Sequence, residues 1–192
     1  MSRLVDRGAI TAAYVGIGMA VTIVVSFLLI IPIEWVIWLF AVPSGLLIGY
    51  YANQRSNRHA GPWGRIVVNG LFAGIVTGLT TALLLLAMKG LFFFADNGFR
   101  DPGLGGSISC QTGADCVYQR YLQAGRGPDL ATAGVIDAIS FTGLYWSEQL
   151  SSAGTVFVLT ALGGLGGAAL YGVFRPKPAV VGAGSSAGSS AD

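Results

Sequence analysis

Residues 65–96 read RIVVNGLFAGIVTGLTTALLLLAMKGLFFFAD, and this stretch decides the fold. No charge lies between Arg65 and Lys89. As a helix the run covers about 36 Å, enough to cross the roughly 30 Å hydrocarbon core of a bilayer. Gly70, Gly74 and Gly78 recur every fourth residue, which lines three bare backbone patches along one helix face. Such a face lets a second helix come close, and close packing is what associates helices where water supplies no driving force. The stretch therefore predicts a membrane helix that other helices pack against.

Upstream, Gly8–Ile33 carries no charge and follows Arg3 and Arg7. It is too long for a signal-peptide core and lacks a small-residue cleavage site, so it reads as a retained first span over about 9–32. Ala12, Gly16 and Ala20 give it a small-residue stripe. Glu34 is the one charge before a second apolar run, 35–53, so these two helices are expected to be antiparallel neighbours. Trp35 and Trp38 suit an interfacial aromatic belt, Pro43 removes one helix hydrogen bond, and Gly45 and Gly49 sit at close-packing spacing. A basic turn follows, with Arg55, Arg58, His59 and Arg65; His59, the single histidine, reads as a solvated or headgroup-facing side chain. The third span is 65–94.

Downstream, 97–147 is the one long segment outside the spans. Its glycine-rich first part is expected to be irregular, 117–123 to be a short helix, and Asp129 to cap a further one. Ile136, Ile139, Gly143, Trp146 and Leu150 share a helix face, which suggests an amphipathic helix on the membrane surface leading into a fourth span over 149–174. In that span Gly163 and Gly167 form one stripe, and Gly164, Ala168 and Gly172 form another beside it. Residues 179–192 are a Gly/Ser/Ala tail expected to be disordered.

Composition supports this reading: 53% of the residues are hydrophobic and 10% charged, against about a quarter charged in soluble domains. The fold class is thus all-α, a polytopic bundle of four transmembrane helices with an extracytoplasmic cap, in a single domain over 1–178. Four spans bring Arg3, Arg7, Arg55, Arg58, Arg65, Arg175 and Lys177 to one side, against Arg100, Arg120 and Arg126 on the other. The positive-inside rule then predicts cytoplasmic termini in the cell membrane. It also places Cys110 and Cys116 outside, where a disulfide persists.

Catalytic groups are scarce. One histidine in a basic loop excludes a Ser–His triad outside the membrane and a bis-histidine haem. Two cysteines without a nearby histidine are too few for a metal site, and there is no phosphate-binding loop or dinucleotide fingerprint. Asp129 and Asp137, if on one helix, stand roughly 12 Å apart, too far for a carboxylate dyad. Glu34 and Lys89 are the charges nearest the membrane; Lys89 falls at the far surface, where snorkelling or an outer-edge pair with Glu34 accounts for it. The net charge of +2 gives no case for nucleic acid. The expectation is a non-enzymatic accessory or scaffold subunit without cofactor or metal, its partners being the lipid bilayer and other membrane subunits. A small oligomeric channel or carrier ranks second, since Asn69, Thr77, Thr80 and Thr81 give only a partial polar line. A membrane-embedded lipid enzyme ranks last.

Overall fold

The computed structural model describes residues 5–26, 35–56, 61–95, 110 and 112–174. Among them are six helices and no strand: α1 Arg7–Val24, α2 Trp35–Arg55, α3 Trp63–Ala95, α4 Ala114–Gln123, α5 Gly127–Thr132 and α6 Ala138–Val173. Four of these, α1, α2, α3 and α6, are long and apolar enough to cross a membrane. Pro32, Glu34, Arg58, His59 and the 179–192 tail lie outside the described residues, as does the expected Glu34–Lys89 pair.

The long helices alternate in direction. Asp6 meets Asn69 and Gly16 meets Thr77, so α1 and α3 run parallel. Gly45 meets Gly163 and Tyr50 meets Tyr171, so α2 and α6 also run parallel. Gly8 at the start of α1 abuts Arg55 at the end of α2, and Gly70 and Gly78 meet Ala168 and Phe157 in reversed order, which sets the two pairs antiparallel. The starts of α1 and α3 and the ends of α2 and α6 therefore gather at one end of the bundle. α4 and α5 pack at the other.

Core layers follow from this alternation. Ala9, Ala12, Ile48, Ala52 and Ala73 fill the end near Arg7, and Ile66, Ala168 and Tyr171 lie beside them. Val24, Ile37, Ala41, Leu85 and Val156 fill the opposite half. The α1 face carrying Ala12, Gly16 and Ala20 is buried.

Two expectations need correction. The last helix begins at Ala138, not near Gln149, and continues without a break for 36 residues, about 54 Å. Of the expected face, Ile139, Gly143, Trp146 and Leu150 belong to this helix and not to a separate surface one, and Ile136 lies just before its cap. Nothing in Ser147–Glu148–Gln149 interrupts a helix: polarity changes there, but no proline or left-handed glycine intervenes. Along that face Ile136 and Ile139 are 82% and 84% exposed, while Trp146 turns inward against Phe93 and Phe94. Secondly, Asp129 does not cap a helix. It lies in the first turn of α5, after Pro128, and pairs with Arg126 at 3.7 Å. The cap is Asp137, whose carboxylate accepts from Ser140 N at 2.8 Å while Ser140 Oγ accepts from Asp137 N at 3.2 Å. This reciprocal box satisfies two donors at the start of α6. Gly134, with φ +75°, ends the preceding turn, so Asp129 and Asp137 never share a helix.

Candidate functional site

Two constructions stand out, a glycine seam inside the bundle and an aromatic cap at its end. In the seam, α6 lies between α2 and α3 and presents a different stripe to each. Gly163 and Gly167 face α2: a methyl on Gly163 would come within 2.5 Å of the Val42 carbonyl oxygen, and one on Gly167 would strike that of Leu46. From the α2 side, methyls on Gly45 and Gly49 would strike the carbonyl oxygens of Thr160 and Gly164. Gly164 and Ala168 face α3. A methyl on Gly164 would sit 2.7 Å from Gly70 O and 2.8 Å from Gly74 Cα, and one on Gly78 would sit 2.9 Å from Phe157 O. Real side-chain carbons keep clear of such distances, so these contacts run backbone to backbone.

Polar groups in the seam are turned onto their own helices. Thr77 Oγ1 donates to Ala73 O at 2.9 Å, Thr81 to Thr77 O at 2.9 Å, Thr160 to Val156 O at 2.8 Å and Ser44 to Ala41 O at 3.0 Å. Thr80 does the same towards Val76 O. Hydroxyls in this arrangement offer little to a passing solute. Asn69 differs: its Oδ1 accepts from Asp6 N at 3.2 Å and its Nδ2 donates to the Asp6 carboxylate at 2.7 Å, which clamps the start of α1 to α3. Asn53, fully buried, donates from Nδ2 to Gly49 O and Ile66 O and so joins α2 to α3.

The cap is built from turns. α4 and α5 end alike: Gly125 (φ +79°) donates to Leu122 O and Arg126 N to Tyr121 O, while Gly134 donates to Ala131 O and Val135 N to Leu130 O. A left-handed glycine followed by a backward bond closes a helix end and folds the next residue over it. That fold carries Arg126 over the Tyr121 ring, 4.6 Å from its centroid, and Val135 onto Leu130. Arg126 then reaches Glu148 of α6 at 3.2 Å, and Tyr121 Oη reaches the same carboxylate at 3.5 Å. Burial pulls the Arg126 pKa down, but the hydrogen bond and charge of Glu148 outweigh it and hold it above its ordinary value.

Beneath this tie, Phe141 is fully buried among Tyr118, Tyr121 and Tyr145. Tyr145 stacks on Phe93 and donates from its hydroxyl to Lys89 O at 3.2 Å. Lys89 itself is half-buried at this level. Cys110 and Cys116 lie at disulfide distance with Cα atoms 4.9 Å apart, and Cys116 is buried in the first turn of α4.

Among the described residues no three His, Cys, Asp or Glu side chains converge as metal ligands. No family model matches the chain, and no curated protein or solved structure matches it either.

The seam residues Gly45, Gly49, Gly70, Gly74, Gly78, Gly163 and Gly167 all face another helix of this chain. Sequence reasoning missed the Asp6–Asn69 clamp and the Arg126–Glu148 tie, because neither has a local signature. It could have found the Asp137 cap, since an Asp just before an apolar run is such a signal.

Proposed function

We propose that this chain is a polytopic integral membrane protein, with both termini cytoplasmic and the cap extracytoplasmic, that serves as a non-enzymatic packing subunit of a larger membrane assembly. One observation carries the reading. The seam closes backbone to backbone, and the hydroxyls of Thr77, Thr81 and Thr160 donate to their own helices, which leaves little among the described residues of α2, α3 and α6 to guide a solute along the seam. A tight core with an apolar exterior suits a part that other parts are built upon. The seam glycines are occupied inside the chain, so contacts with a partner use outward faces instead, among them the exposed side of α6 with Leu150, Val158 and Leu162. The sided arginines support the orientation by the positive-inside rule.

Purification in mild detergent followed by mass spectrometry tests this. A stoichiometric membrane partner is expected. A homo-oligomer that passes ions in vesicles would favour the channel or carrier, and a stable, partnerless monomer would overturn the subunit reading.

A further inference from the structure

Arg7 opens α1, Arg55 closes α2 and Arg65 lies in the first turns of α3. Backbone contact forces them together. A methyl on Gly8 would strike the backbone at Arg55 and Ser56, Ser56 Oγ lies 3.5 Å from Asn69 Nδ2, and Asn69 holds Asp6. Asp6 is the one described acid at this end, and its carboxylate faces Arg65 at 3.9 Å. Arg7 and Arg55 are exposed, with no acidic partner among the described residues. Each also heads an apolar track: Ile10 and Tyr14 lie exposed one and two turns along α1 from Arg7, and Leu47 lies exposed two turns back along α2 from Arg55.

From this corner we infer a binding site for an anionic phospholipid, its phosphate between Arg7 and Arg55 and its acyl chains along those tracks. The inference rests on the membrane reading above. A guanidinium fork matches phosphate oxygens in pairs, and basic corners between membrane helices on the cytoplasmic side suit anionic headgroups. Sidedness alone accounts for arginines somewhere at this end, but it does not call for two of them on neighbouring helices, with no acidic partner among the described residues, each heading an exposed apolar track.

The test is to reconstitute the purified protein in vesicles of equal phosphatidylglycerol and phosphatidylcholine, extract it in mild detergent and weigh the retained lipids by mass spectrometry. Phosphatidylglycerol should be enriched over the vesicle ratio. The double variant Arg7→Gln/Arg55→Gln should return to that ratio, with up to about fivefold lost per arginine. Either single variant should fall part-way, which keeps the test available if the double variant does not fold. Arg120→Gln, in the cap, should change nothing. Absent enrichment, or enrichment indifferent to Arg7 and Arg55, overturns the site. So does stripping of the lipid by excess inorganic phosphate, which would mark a small-anion site. An alkaline wash of the same vesicles separates the two readings: protein released by alkali sinks the membrane reading, whereas protein retained without enrichment sinks the lipid site alone.

Discussion

The seam and the cap solve the same problem in opposite ways. In the seam, α6 joins α2 and α3 by having no side chains, so attraction comes from many backbone atoms at close range. In the cap, α4, α5 and the head of α6 join through large rings around Phe141. A seam of this kind has no slack, because any added atom must move a whole helix. A ring cluster loses area gradually and can resettle around a gap. The two regions should therefore fail differently: the seam all at once and for the entire bundle, the cap by degrees and locally.

The most damaging change expected is Gly164→Leu, which places carbon against both Gly70 and Gly74. Loss of folded protein in detergent, by circular dichroism and size exclusion, is the expected outcome. Gly154→Leu on the same helix, where nothing lies within 4 Å, should be tolerated. Equal behaviour of the two variants would erase the distinction between seam and exterior. Next in size is Phe141→Ala, expected to cost about 3–5 kcal/mol. Hydrogen exchange should show lost protection in α4, α5 and the first turns of α6, with the amides near Gly163–Gly167 unchanged. Spread of the effect into the seam would mean that the two regions unfold as one.

A smaller effect is expected from Cys110→Ser with Cys116→Ser. Opening so short a loop costs about 2 kcal/mol by chain entropy, confined to the cap. In the unaltered protein a thiol reagent should label neither cysteine before reductant is added, and labelling without reductant would refute the bridge. Smallest is the pH response of the Asp137 cap. Hydrogen bonds from the Ser140 side chain and backbone lower its pKa from the ordinary carboxylate value. Its stabilisation is thus complete above that value and is lost as pH falls through the lower, folded one. Protection of the amides of 138–141, taken relative to their intrinsic exchange rate at each pH, should fall in acid, below about pH 4, and Asp137→Ala should flatten that fall. An unaltered pH profile in the variant would remove the cap's role.

Much of the seam was legible in the sequence, because fourfold glycine spacing within a charge-free run has few other uses. The two stripes of α6 could be read as adjacent, though not which neighbour each served. That assignment depends on register between segments some ninety residues apart (Gly74 and Gly164), which no local pattern records. The start of α6 is hidden in the sequence for a related reason. The polar Ser147–Glu148–Gln149 looks like an end when hydropathy is the guide, yet a helix is stopped by backbone geometry and not by polarity, and only Gly134 has the left-handed backbone that ends a turn there. In the cap, Asp129 has the sequence look of a helix cap because it follows a proline turn, although Asp137 has the serine three residues on that completes the box. The Asp6–Asn69 clamp spans 63 residues and was beyond reach.

Because the stripe-bearing helix is the last of the four, the order of synthesis matters. Some eighty-odd residues separate Gly78 from Gly164, so at about 5–20 residues per second α2 and α3 stand for several seconds with bare grooves turned to whatever surrounds them. The contacts of the seam are thus the last the molecule can make, and a newborn chain halted before Gly163 would carry its grooves on α2 and α3 and no ridge to fill them.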